Sequence, residues 1–536
     1  MKVCLLAAGP GKRLGTYTKY FNKALLRVGD KAAISHIIEY FPKGYEFVIA
    51  VGYLGDIVEQ YIKAAHPDLK VTFVKTDKFE GEGSGPGYAI QQCQEYLQEP
   101  FYIWTCDTLV GEWDYVGFLD ANETWLGYSV AESLDGEFSC LEITNDNVTY
   151  FNEKYASNYT KNAFIGCCFI KNYEAFFKGI NENPTIVQGQ FQLSAGFDEV
   201  LHRTKDIVKA KKFVWHDIGN LENLQKTRQS FKAKIENLDK VDEEIYFLGN
   251  RVVKYFFDSK ICTNRIKRAE ILNKFVPQLI HKSNNFYSYD FLEGKDLFDV
   301  GYSLYVMIQD FLSYTEKSDL WKEIKLSPEE SMKFQNACIE FYYRKTKTRL
   351  DNLYKQLNIT DSSTEVNGVV IPPLSDILSS LSWHELLHGF PCLMHGDMAI
   401  SNIIYNNKES SYKLIDWRQD FGGITEFGDA YYDLAKLNAS LVFPHDLIKS
   451  KKYKLLTNGN KIEFSFNKED YKKYKNCQYQ FNSYIREDSV NGLDLKKIQQ
   501  LTAIVLLNMS SLHEYPLNVI LYYLGKEKLW KSINEN

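Results

Sequence analysis

The chain of 536 residues has 45% hydrophobic and 25% charged residues, a composition typical of a globular protein, and its length predicts at least two domains. Its net charge of -6 and the lack of a long basic run argue against binding to nucleic acid. Its ten cysteines show no spacing typical of a metal site, which favours a reduced, cytoplasmic setting.

Short apolar runs alternate with helix-like patterns from the start of the chain to about residue 224. The first run, Val3–Ala8, predicts a buried strand, because it is too short to be a signal sequence or to insert into a membrane. Later runs such as Phe47–Val51 and Phe101–Cys106 are separated by helical patterns. The alternation predicts an α/β fold with a doubly wound, Rossmann-like sheet, which binds ligands beyond the carboxyl ends of its strands.

A glycine-rich turn follows the first strand. Gly9 and Gly11 allow backbone N–H groups to approach a phosphate, and the neighbouring Lys12 and Arg13 add positive charge. On its own, such a turn is as often a simple boundary between a strand and a helix. Other residues at suitable distances strengthen the phosphate-binding interpretation: Lys23 just beyond the turn, and the strand-terminal carboxylates Asp107 and Asp217.

These features resemble the sugar-phosphate and phosphocholine-type nucleotidyltransferases. The signature of that family begins LAAGxGxRL, continues with a lysine in a PKxLLPV segment, and includes two strand-terminal Asp residues. Asn22 and Arg27 stand where the family usually has Pro. The resemblance implies a nucleoside triphosphate site with Gly9, Gly11 and Lys12, catalytic roles for Arg13 and Lys23, and Mg²⁺ held by Asp107 and Asp217.

Two further segments extend the resemblance. Gly83 and Gly85 occupy the place where relatives pack a glycine-rich segment against the base, and Lys154 lies in a Glu-Lys element that would bind the acceptor phosphate. A solvated turn is the alternative for Lys154. Because a phosphomonoester has a second pKa of ~6, its oxygen needs no general base to attack the α-phosphorus. The reaction instead needs Mg²⁺ and cations that offset negative charge.

The charged segment Leu221–Lys240 contains neither Pro nor Gly and predicts a helix between the two halves of the chain. We place a nucleotidyltransferase domain at residues 1–228, a helical connector at 229–243 and a second domain at 244–536. The second domain begins with a predicted hairpin whose second strand has one inward-facing lysine, Lys254. The helical pattern that follows contains Glu270.

A second motif lies between Met394 and Arg418. An apolar segment leads into Asp397 within the sequence HGD, Asn402 follows at the fifth place beyond it, and a second apolar strand ends in Asp416. Phosphoryl transfer to a hydroxyl needs one carboxylate that accepts the proton, plus an Asn and a second Asp that hold Mg²⁺ against the nucleotide. The alternative is an ordinary β-hairpin with polar ends.

This motif resembles the aminoglycoside phosphotransferase and choline kinase superfamily, relatives of the protein kinases, with the patterns HGDxxxxN and IDW or IDF. The resemblance implies a two-lobed, kinase-like α+β domain that uses ATP and Mg²⁺. Asp397 would accept the proton, and Asn402 and Asp416 would bind the metal. The other implied roles are nucleotide binding by Lys254 paired with Glu270, and acceptor binding or support of the site by Asp433 in the segment similar to the superfamily's D-L-A helix.

A kinase makes a phosphomonoester and a nucleotidyltransferase consumes one, so the two halves predict a bifunctional enzyme that activates a small alcohol. Choline, ethanolamine or a hydroxy amino acid with CTP is the leading expectation, giving a CDP-linked donor for a surface glycan or protein. A sugar phosphorylated at its anomeric carbon, with UTP or GTP, is the alternative, and a chain with one regulatory or vestigial domain is another. Four aromatic residues either form a box for a quaternary ammonium or belong to the core: Trp383, Trp417, Tyr431 and Tyr432.

Overall fold

The computed structural model of the chain describes residues 1–111, 119, 122–131, 138–154, 159–233, 242–297, 299–300, 304–487 and 492–534. By their internal contacts, the residues group into two units. The first unit comprises Met1–Ser259 with Ile280–Asp290, and the second comprises Lys260–Leu279 with Phe291–Asn536. Within the described residues, no helix is both long and apolar enough to cross a lipid bilayer.

The first unit contains strands and helices in alternation over much of its length. Its strands are β1 (Lys2–Ala7), β2 (Arg27–Val28), β3 (Lys31–Ala32), β4 (Glu46–Val51), β5 (Val71–Lys75), β6 (Phe101–Thr105), β7 (Thr108–Val110), β8 (Thr124–Val130), β9 (Cys140–Thr144), β10 (Asn147–Asn152), β11 (Asn162–Ile170), β12 (Ile186–Val187), β13 (Gln190–Phe191), β14 (Val208–Lys212), β15 (Trp215–Asp217), β16 (Glu243–Leu248), β17 (Arg251–Phe256), β18 (Leu279–Lys282) and β19 (Phe286–Asp290). Its helices are α1 (Ala33–Glu39), α2 (Gly55–Ala65), α3 (Pro86–Gln92), α4 (Tyr173–Glu182), α5 (Ser194–Arg203) and α6 (Leu221–Ser230), with short 3₁₀ segments at Lys12–Thr18, Lys23–Leu25 and Gln94–Tyr96.

The largest sheet of this unit has the strand order β5-β4-β1-β6-β11-β8-β14-β10-β9. Its first four strands run parallel, whereas β11 pairs antiparallel with β6, so the sheet is mixed. Apolar clusters cover both faces, which is why β1 is a continuous apolar run rather than an alternating one. The predicted α/β class is therefore confirmed for this unit, with a mixed rather than wholly parallel sheet.

This topology brings the predicted phosphate-binding residues to one edge of the sheet. Strands β1 and β6 are parallel neighbours, with Leu6 opposite Thr105, so the glycine-rich turn and Asp107 follow adjacent strand ends. Strand β15 pairs with β7 and places Asp217 opposite Thr108. Two carboxylates separated by more than a hundred residues in the sequence thus lie beside the same turn.

A second sheet in the first unit has the order β16-β17-β19-β18. Its residues Tyr246, Tyr255 and Phe286 belong to the same apolar cluster as β1 and α2. The Tyr246 hydroxyl donates a hydrogen bond to the Leu25 carbonyl at 2.8 Å, and the Phe247 N–H donates to the Asp30 carbonyl at 2.8 Å. Aromatic burial and these hydrogen bonds therefore attach this sheet to the rest of the first unit.

The first unit consequently extends beyond the connector that we predicted at residues 229–243. Residues 234–241 of that connector lie outside the described residues, and helix α6 covers only Leu221–Ser230 of the predicted helix. The strands that sequence patterns assign to the start of the second domain are grouped with the first unit, up to Asp290. Their apolar faces are covered by residues far upstream in the sequence, and periodicity alone does not reveal such partners.

The second unit is mostly helical. Its strands are β20 (Lys295–Asp296), β21 (Thr364–Val366), β22 (Val369–Ile371), β23 (Pro391–Cys392), β24 (Ile403–Asn406), β25 (Ser411–Leu414), β26 (Gly428–Asp429), β27 (Tyr453–Asn458) and β28 (Lys461–Phe466). Its helices are α7 (Ser259–Leu272), α8 (Leu304–Glu316), α9 (Pro328–Cys338), α10 (Lys345–Leu357), α11 (Leu374–Ser379), α12 (Trp383–Leu387), α13 (Ala430–Val442), α14 (His445–Lys449), α15 (Lys468–Glu487), α16 (Leu495–Ser510) and α17 (Leu517–Asn534), with a π-helix at Ile339–Arg344 and 3₁₀ turns at Asn273–Phe275 and Ile400–Asn402.

The core of this unit lies around α13, which packs against α16, and α16 packs against α17. Strands β24 and β25 form a hairpin in which Ile403 lies opposite Leu414. This hairpin separates the two parts of the predicted kinase motif, since Asn402 precedes β24 and Asp416 follows β25. The hairpin therefore returns the two metal-ligand candidates to the same end of the strand pair.

The variant Tyr246→Phe tests the attachment of β16 to the first unit. It leaves the Leu25 carbonyl without its buried donor, and we expect the free energy of unfolding to fall by about 1–3 kcal/mol. The measurement is denaturant unfolding of the whole chain, followed by tryptophan fluorescence. Tyr150→Phe is the control, because Tyr150 lies in the same unit and is 48% exposed. Equal stability of the two variants would contradict the proposed attachment.

Candidate active sites

The glycine-rich turn of the first unit is shaped by close approach to the lysine beyond it. Gly11 has φ of 64°, and a Cβ atom there would lie 3.1 Å from Thr18 Cγ2 and 3.3 Å from Lys23 Cβ. Gly9 faces open space, with no atom within 4 Å of an added Cβ. Lys12 forms an ion pair with Glu80 at the surface. The turn thus leaves its backbone open at Gly9, as a phosphate-binding loop requires.

Lys23 and Asp107 form the central ion pair of this site. Lys23 Nζ lies 2.6 Å from Asp107 Oδ2, and both side chains are largely buried. Burial favours the neutral form of Asp107, but Lys23, a hydrogen bond from Thr105 and the charge of Arg13 outweigh it and lower the pKa of Asp107 to about 2. Asp107 is therefore an ionised carboxylate at neutral pH.

Asn22 is a functional residue that sequence reasoning did not identify as such. Its buried side chain donates hydrogen bonds to the Ala7 carbonyl at 2.7 Å and the Tyr53 carbonyl at 2.8 Å, and accepts one from the Ala24 N–H at 2.9 Å. It therefore joins the end of β1 to the segment after β4 and caps the turn that begins at Lys23. Asn22 stands where the family that the sequence resembles usually has Pro, and its hydrogen bonds position Lys23.

Asp217 completes the carboxylate pair. Its pKa is raised by burial and by the negative charge of Asp107, while hydrogen bonds from Asn223 and the Gly219 N–H oppose the shift. The Ile218 N–H donates to the Asp107 carbonyl at 3.0 Å, which fixes the two strand ends together. Mutual repulsion between two buried carboxylates is the environment that a bound divalent cation would relieve.

Arg13 and Lys154 add positive charge to the same place. A Cβ atom on Gly219 would lie 3.1 Å from Arg13 Nη2, so Arg13 extends to the segment that follows Asp217. Burial lowers the pKa of Lys154, Arg13 lowers it further, and Asp107 raises it. The structure thus brings Arg13, Lys23, Asp107 and Asp217 into one charged cluster, and the charges of Arg13 and Asp107 act on Lys154.

Gly83 and Gly85 have a structural reason for being glycine. The Gly83 N–H donates to the Gly189 carbonyl at 2.6 Å, and a Cβ atom on Gly85 would lie 2.6 Å from the Phe191 carbonyl oxygen. Their φ angles of 75° and 129° also disfavour other residues. Both glycines therefore allow this segment to pack against the β12–β13 hairpin, and contact with a nucleotide base stays a prediction.

The second candidate site lies around Asp397. Lys436 Nζ lies 2.7 Å from Asp397 Oδ1, and Asn402 Nδ2 donates to the Asp397 carbonyl at 2.8 Å. The Ile415 N–H donates to the Asn402 carbonyl at 2.9 Å, so the segments that carry Asn402 and Asp416 are bonded to each other. Asp416 has a left-handed backbone with φ of 60°. The structure therefore brings the predicted proton acceptor and the predicted metal ligands close together.

Asp433 supports the backbone of the loop that carries Asp397. It is fully buried and accepts hydrogen bonds from the His395 N–H at 2.7 Å, the Gly396 N–H at 2.6 Å and Trp321 Nε1 at 2.9 Å. Burial raises its pKa to about 6 against the effect of these donors. Of the two roles predicted for Asp433, these contacts favour the supporting one, because all of its surface is occupied by the protein.

Lys436 is a further residue of this candidate site that the sequence motif does not show. It lies one turn beyond Asp433 on α13, so Asp433 fixes the backbone of the loop while Lys436 fixes the Asp397 side chain. Burial lowers the pKa of Lys436, but the charge of Asp397 raises it above the ordinary lysine value. The sequence does contain one indication of this role: Lys436 follows Asp433 by three residues in the predicted helix beyond the HGD motif.

Lys254 and Glu270 belong to different units. Lys254 is 2% exposed in β17, where it lies opposite Ile245 and Tyr287 on the neighbouring strands. Glu270 lies on the exposed side of α7. Lys254 is buried as the prediction requires, and its pairing with Glu270 in nucleotide binding stays a prediction.

Both candidate sites suit Mg²⁺ if substrate phosphates and water supply the ligands that the protein does not. Among the described residues, no cluster of three or more His, Cys, Asp or Glu side chains forms a complete metal cage. Mg²⁺ is commonly held by one or two carboxylates together with substrate phosphates and water. Asp107 with Asp217, and Asn402 with Asp416, offer oxygen ligands of this kind.

Comparison with known proteins assigns the first part of the chain. Residues 3–122 match the MobA-like NTP transferase domain family. Over the N-terminal half, the chain is 24% identical to the bifunctional protein GlmU of Methanococcus maripaludis across 264 residues, and 23% identical to that of Methanocaldococcus jannaschii across 265 residues. Each match covers 47% of this chain and 60% of the relative, so the chain spans less than two thirds of these relatives.

Solved structures similar to the chain include nucleotidyltransferases. A UDP-glucose pyrophosphorylase complexed with UDP-glucose is 17% identical with a TM-score of 0.38, and the match covers 43% of this chain and 97% of that one. The CTP:phosphocholine cytidylyltransferase from Streptococcus pneumoniae is 21% identical with a TM-score of 0.36, covering 43% of this chain and 99% of that one. The family match supports an NTP transferase domain in the N-terminal part of the chain, and it confirms the coarse prediction of a nucleotidyltransferase there.

The variant Asn22→Ala tests whether Asn22 directs Lys23. Loss of its three hydrogen bonds should misplace the lysine, and we expect pyrophosphate release to fall by about 10- to 100-fold, since small misplacements at an active site have effects of that size. Asn181→Ala is the control, because it removes hydrogen bonds from an exposed asparagine of the same unit. Full activity in a folded Asn22→Ala variant would contradict the assigned role.

The variant Asp433→Asn tests support of the catalytic loop. An amide offers one acceptor oxygen to three donors and directs its own N–H groups at them, so we expect a loss of about 2 kcal/mol or more in the free energy of unfolding. Denaturant unfolding provides the measurement, with the exposed Asp351→Asn as the control for the same chemical change. If the two variants were equally stable, the buried hydrogen bonds of Asp433 would not hold the loop.

Proposed function

We propose that the chain is a bifunctional transferase that phosphorylates a small alcohol with ATP and then transfers a nucleotidyl group to the resulting phosphomonoester. The observation that carries the proposal is the assembly of Asp397, Asn402 and the Asp416 segment by hydrogen bonds in a chain whose first unit is a nucleotidyltransferase. By its motifs, the kinase-like part begins at residue 244, after a connector at 229–243 and a nucleotidyltransferase domain at 1–228.

In the first reaction, the alcohol oxygen attacks the γ-phosphorus of ATP. The new O–P bond forms as the bond to the β-phosphate oxygen breaks, ADP leaves, and the hydroxyl proton passes to Asp397. Burial opposes ionisation of Asp397, but Lys436, His395 and Arg418 hold its pKa well below the usual range. The carboxylate is therefore always available as an acceptor, and its main contribution is to orient the hydroxyl, because phosphoryl transfer depends mostly on positioning and charge.

In the second reaction, an oxygen of the phosphomonoester attacks the α-phosphorus of the nucleoside triphosphate, and pyrophosphate leaves. No general base is needed, because the attacking oxygen is already ionised near neutral pH. Lys23, Arg13 and Lys154 offset the negative charge that accumulates, and Lys12 and the backbone of the glycine-rich turn bind the triphosphate. Gly83 and Gly85 shape the segment proposed to pack against the base.

Magnesium would neutralise the phosphate groups in both reactions. Asp107 and Asp217 would hold it in the nucleotidyltransferase site, and Asn402 and Asp416 in the kinase site. Lys254 and Glu270 are the residues proposed to bind the ATP phosphates by analogy with the kinase-like superfamily.

For the substrates, CTP with choline, ethanolamine or a hydroxy amino acid remains the first proposal from resemblance, giving a CDP-linked donor that decorates a surface glycan or protein. A second candidate pairs an anomeric sugar kinase with UTP or GTP. It is favoured by Lys154, on which the charges of Arg13 and Asp107 act, as the sugar-type Glu-Lys element would require. A chain in which one domain is regulatory or vestigial would show only one of the two reactions.

A reciprocal pair of variants tests the two-site proposal. Asp397→Asn should reduce ATP-dependent phosphorylation by about a thousandfold or more while the nucleotidyltransferase still uses added phosphomonoester. Asp107→Ala should abolish pyrophosphate release while the phosphomonoester accumulates. Both reactions are measured on the same preparations with a panel of small alcohols, by phosphorus NMR of the products.

Circular dichroism controls for folding of each variant. If Asp397→Asn lost both reactions in a folded protein, the sites would not be separate. If Asp107→Ala released pyrophosphate at the normal rate, Asp107 would not belong to the nucleotidyltransferase site.

A further inference from the structure

A cavity of about 460 Å³ lies in the second unit, and one wall of it is the start of α10. The π-helix Ile339–Arg344 leads directly into this helix. Its cavity-lining residues Lys345, Thr348, Arg349 and Asn352 have the spacing i, i+3, i+4, i+7, which places them on one helical face. A cavity of this size accommodates a molecule as large as a monosaccharide.

Positive charge concentrates at this cavity and continues to the proposed catalytic carboxylate. Lys345 Nζ lies 3.9 Å from the centre of the Phe341 ring, and Arg418 Cζ lies 4.8 Å from the same centre. Burial lowers the pKa of Lys345 to about 6, and the charges of Arg418, Arg349 and Lys436 contribute to that shift. Arg418 connects the Phe341 ring to the segment that carries Asp397, because its backbone N–H donates to the His395 carbonyl at 3.1 Å and a Cβ atom on Gly396 would lie 2.6 Å from Arg418 Cβ.

Three of these basic side chains have no acidic partner among the residues that the structure describes. Within the described parts of the chain, Lys345, Arg349 and Arg418 form no ion pair with a carboxylate, and the buried Arg418 Nε donates no hydrogen bond. Glu340, the one acid on the wall of the cavity among the described residues, pairs instead with Arg344 at 3.3 Å. Burial beside other basic groups disfavours the charged form of Lys345, and a bound anion would favour its ammonium form again. The guanidinium groups of Arg349 and Arg418 stay charged, and a bound anion would offset the cost of their partial burial.

We propose that the alcohol phosphorylated at Asp397 carries a negatively charged group, a carboxylate or a phosphoryl group, which binds Lys345 and Arg349. The inference rests on the proposed kinase reaction, because it assigns the acceptor of that site. An arginine and a lysine suit this task, since the guanidinium offers a planar pair of donors to an oxyanion and the ammonium adds a point charge. The hydroxyl at the other end of the acceptor then lies at Asp397.

Three of the four aromatic residues that would have suited a quaternary ammonium are engaged with other groups. Trp417 is fully buried and donates to the Arg265 carbonyl, Trp383 packs against Tyr343, and the Tyr431 ring is covered by Lys497 at 4.1 Å. A cationic acceptor would also meet repulsion from the cavity wall. Choline is therefore the least suitable of the proposed acceptors.

The test compares pairs of alcohols that differ mainly in charge. Glycerate and glycerol 3-phosphate are compared with glycerol, glucuronate is compared with glucose, and choline serves as the cation. ADP formation with Mg²⁺ and ATP is measured in buffer free of phosphate and sulfate. We expect kcat/KM for at least one anionic alcohol to exceed that of its neutral partner by tenfold or more, because a hydrogen-bonded charge contributes about 1.5–3 kcal/mol. The carboxylate and phosphoryl members show which anion the cavity takes.

Variants identify the cavity as the source of the preference. Lys345→Gln and Arg349→Gln should raise KM for the anionic alcohol about tenfold or more and leave KM for ATP unchanged, whereas Arg349→Lys should restore part of the loss. Lys347→Gln is the matched control, because it removes the same charge from an exposed position on the same helix. A rise in KM for ATP alone would overturn the inference, since the cations would then serve the nucleotide.

Calorimetric titration of the same alcohols into the intact chain separates this inference from the kinase proposal. Tighter binding of an anionic alcohol, lost in Arg349→Gln, supports the assigned ligand class even if ATP turnover is absent, and absent turnover overturns the kinase reaction alone. Preference for choline, or equal binding and turnover of charged and neutral partners, overturns the inference.

Discussion

Both proposed reactions depend on a carboxylate that a lysine holds in a partly buried place. Lys23 lies 2.6 Å from Asp107, and Lys436 lies 2.7 Å from Asp397. Burial alone would raise the pKa of each carboxyl, but the lysine reverses that effect and keeps the pKa below its usual range. A carboxylate that stays ionised at every physiological pH can bind a metal or orient a hydroxyl, whereas an isolated buried one would take up a proton.

The residues that could be predicted from the sequence belong to short motifs beside predicted strands. The glycine-rich turn, Asp107 and Asp217 each follow an apolar run, and parallel strands end at the same edge of a sheet, so the pattern predicts their proximity. Asp397 and Asn402 are likewise separated by only one loop. In these cases, the predicted secondary structure is enough to predict that the residues lie close together.

The residues that could not be predicted act through contacts between distant segments. Asn22 bonds to the end of β1 and to Tyr53, so its role depends on the pairing of β1 with β4. Lys436 reaches Asp397 only because α13 packs against the loop that carries Asp397, where Asp433 accepts two backbone hydrogen bonds. The strand that carries Lys254 shows the same limit, since its sheet is attached to the first unit by Tyr246 and its neighbours. The stability of that strand therefore depends on packing against the rest of the first unit. Sequence patterns alone could not predict this packing, so they placed the strand in the second domain.

The charges of the two sites also bear on why the two reactions occupy one chain. Phosphorylation adds about 1.5 to 2 negative charges to the acceptor near neutral pH. In the proposed acceptor, Lys345 and Arg349 bind the existing anionic group, and the new phosphoryl group forms at the other end, beside Asp397. The proposed nucleotidyltransferase site, with the cations Arg13 and Lys23, would attract the phosphorylated product, consume it and release pyrophosphate. Because a linked site meets the intermediate at a high local concentration, fusion is most useful when the intermediate is an anion that both sites attract.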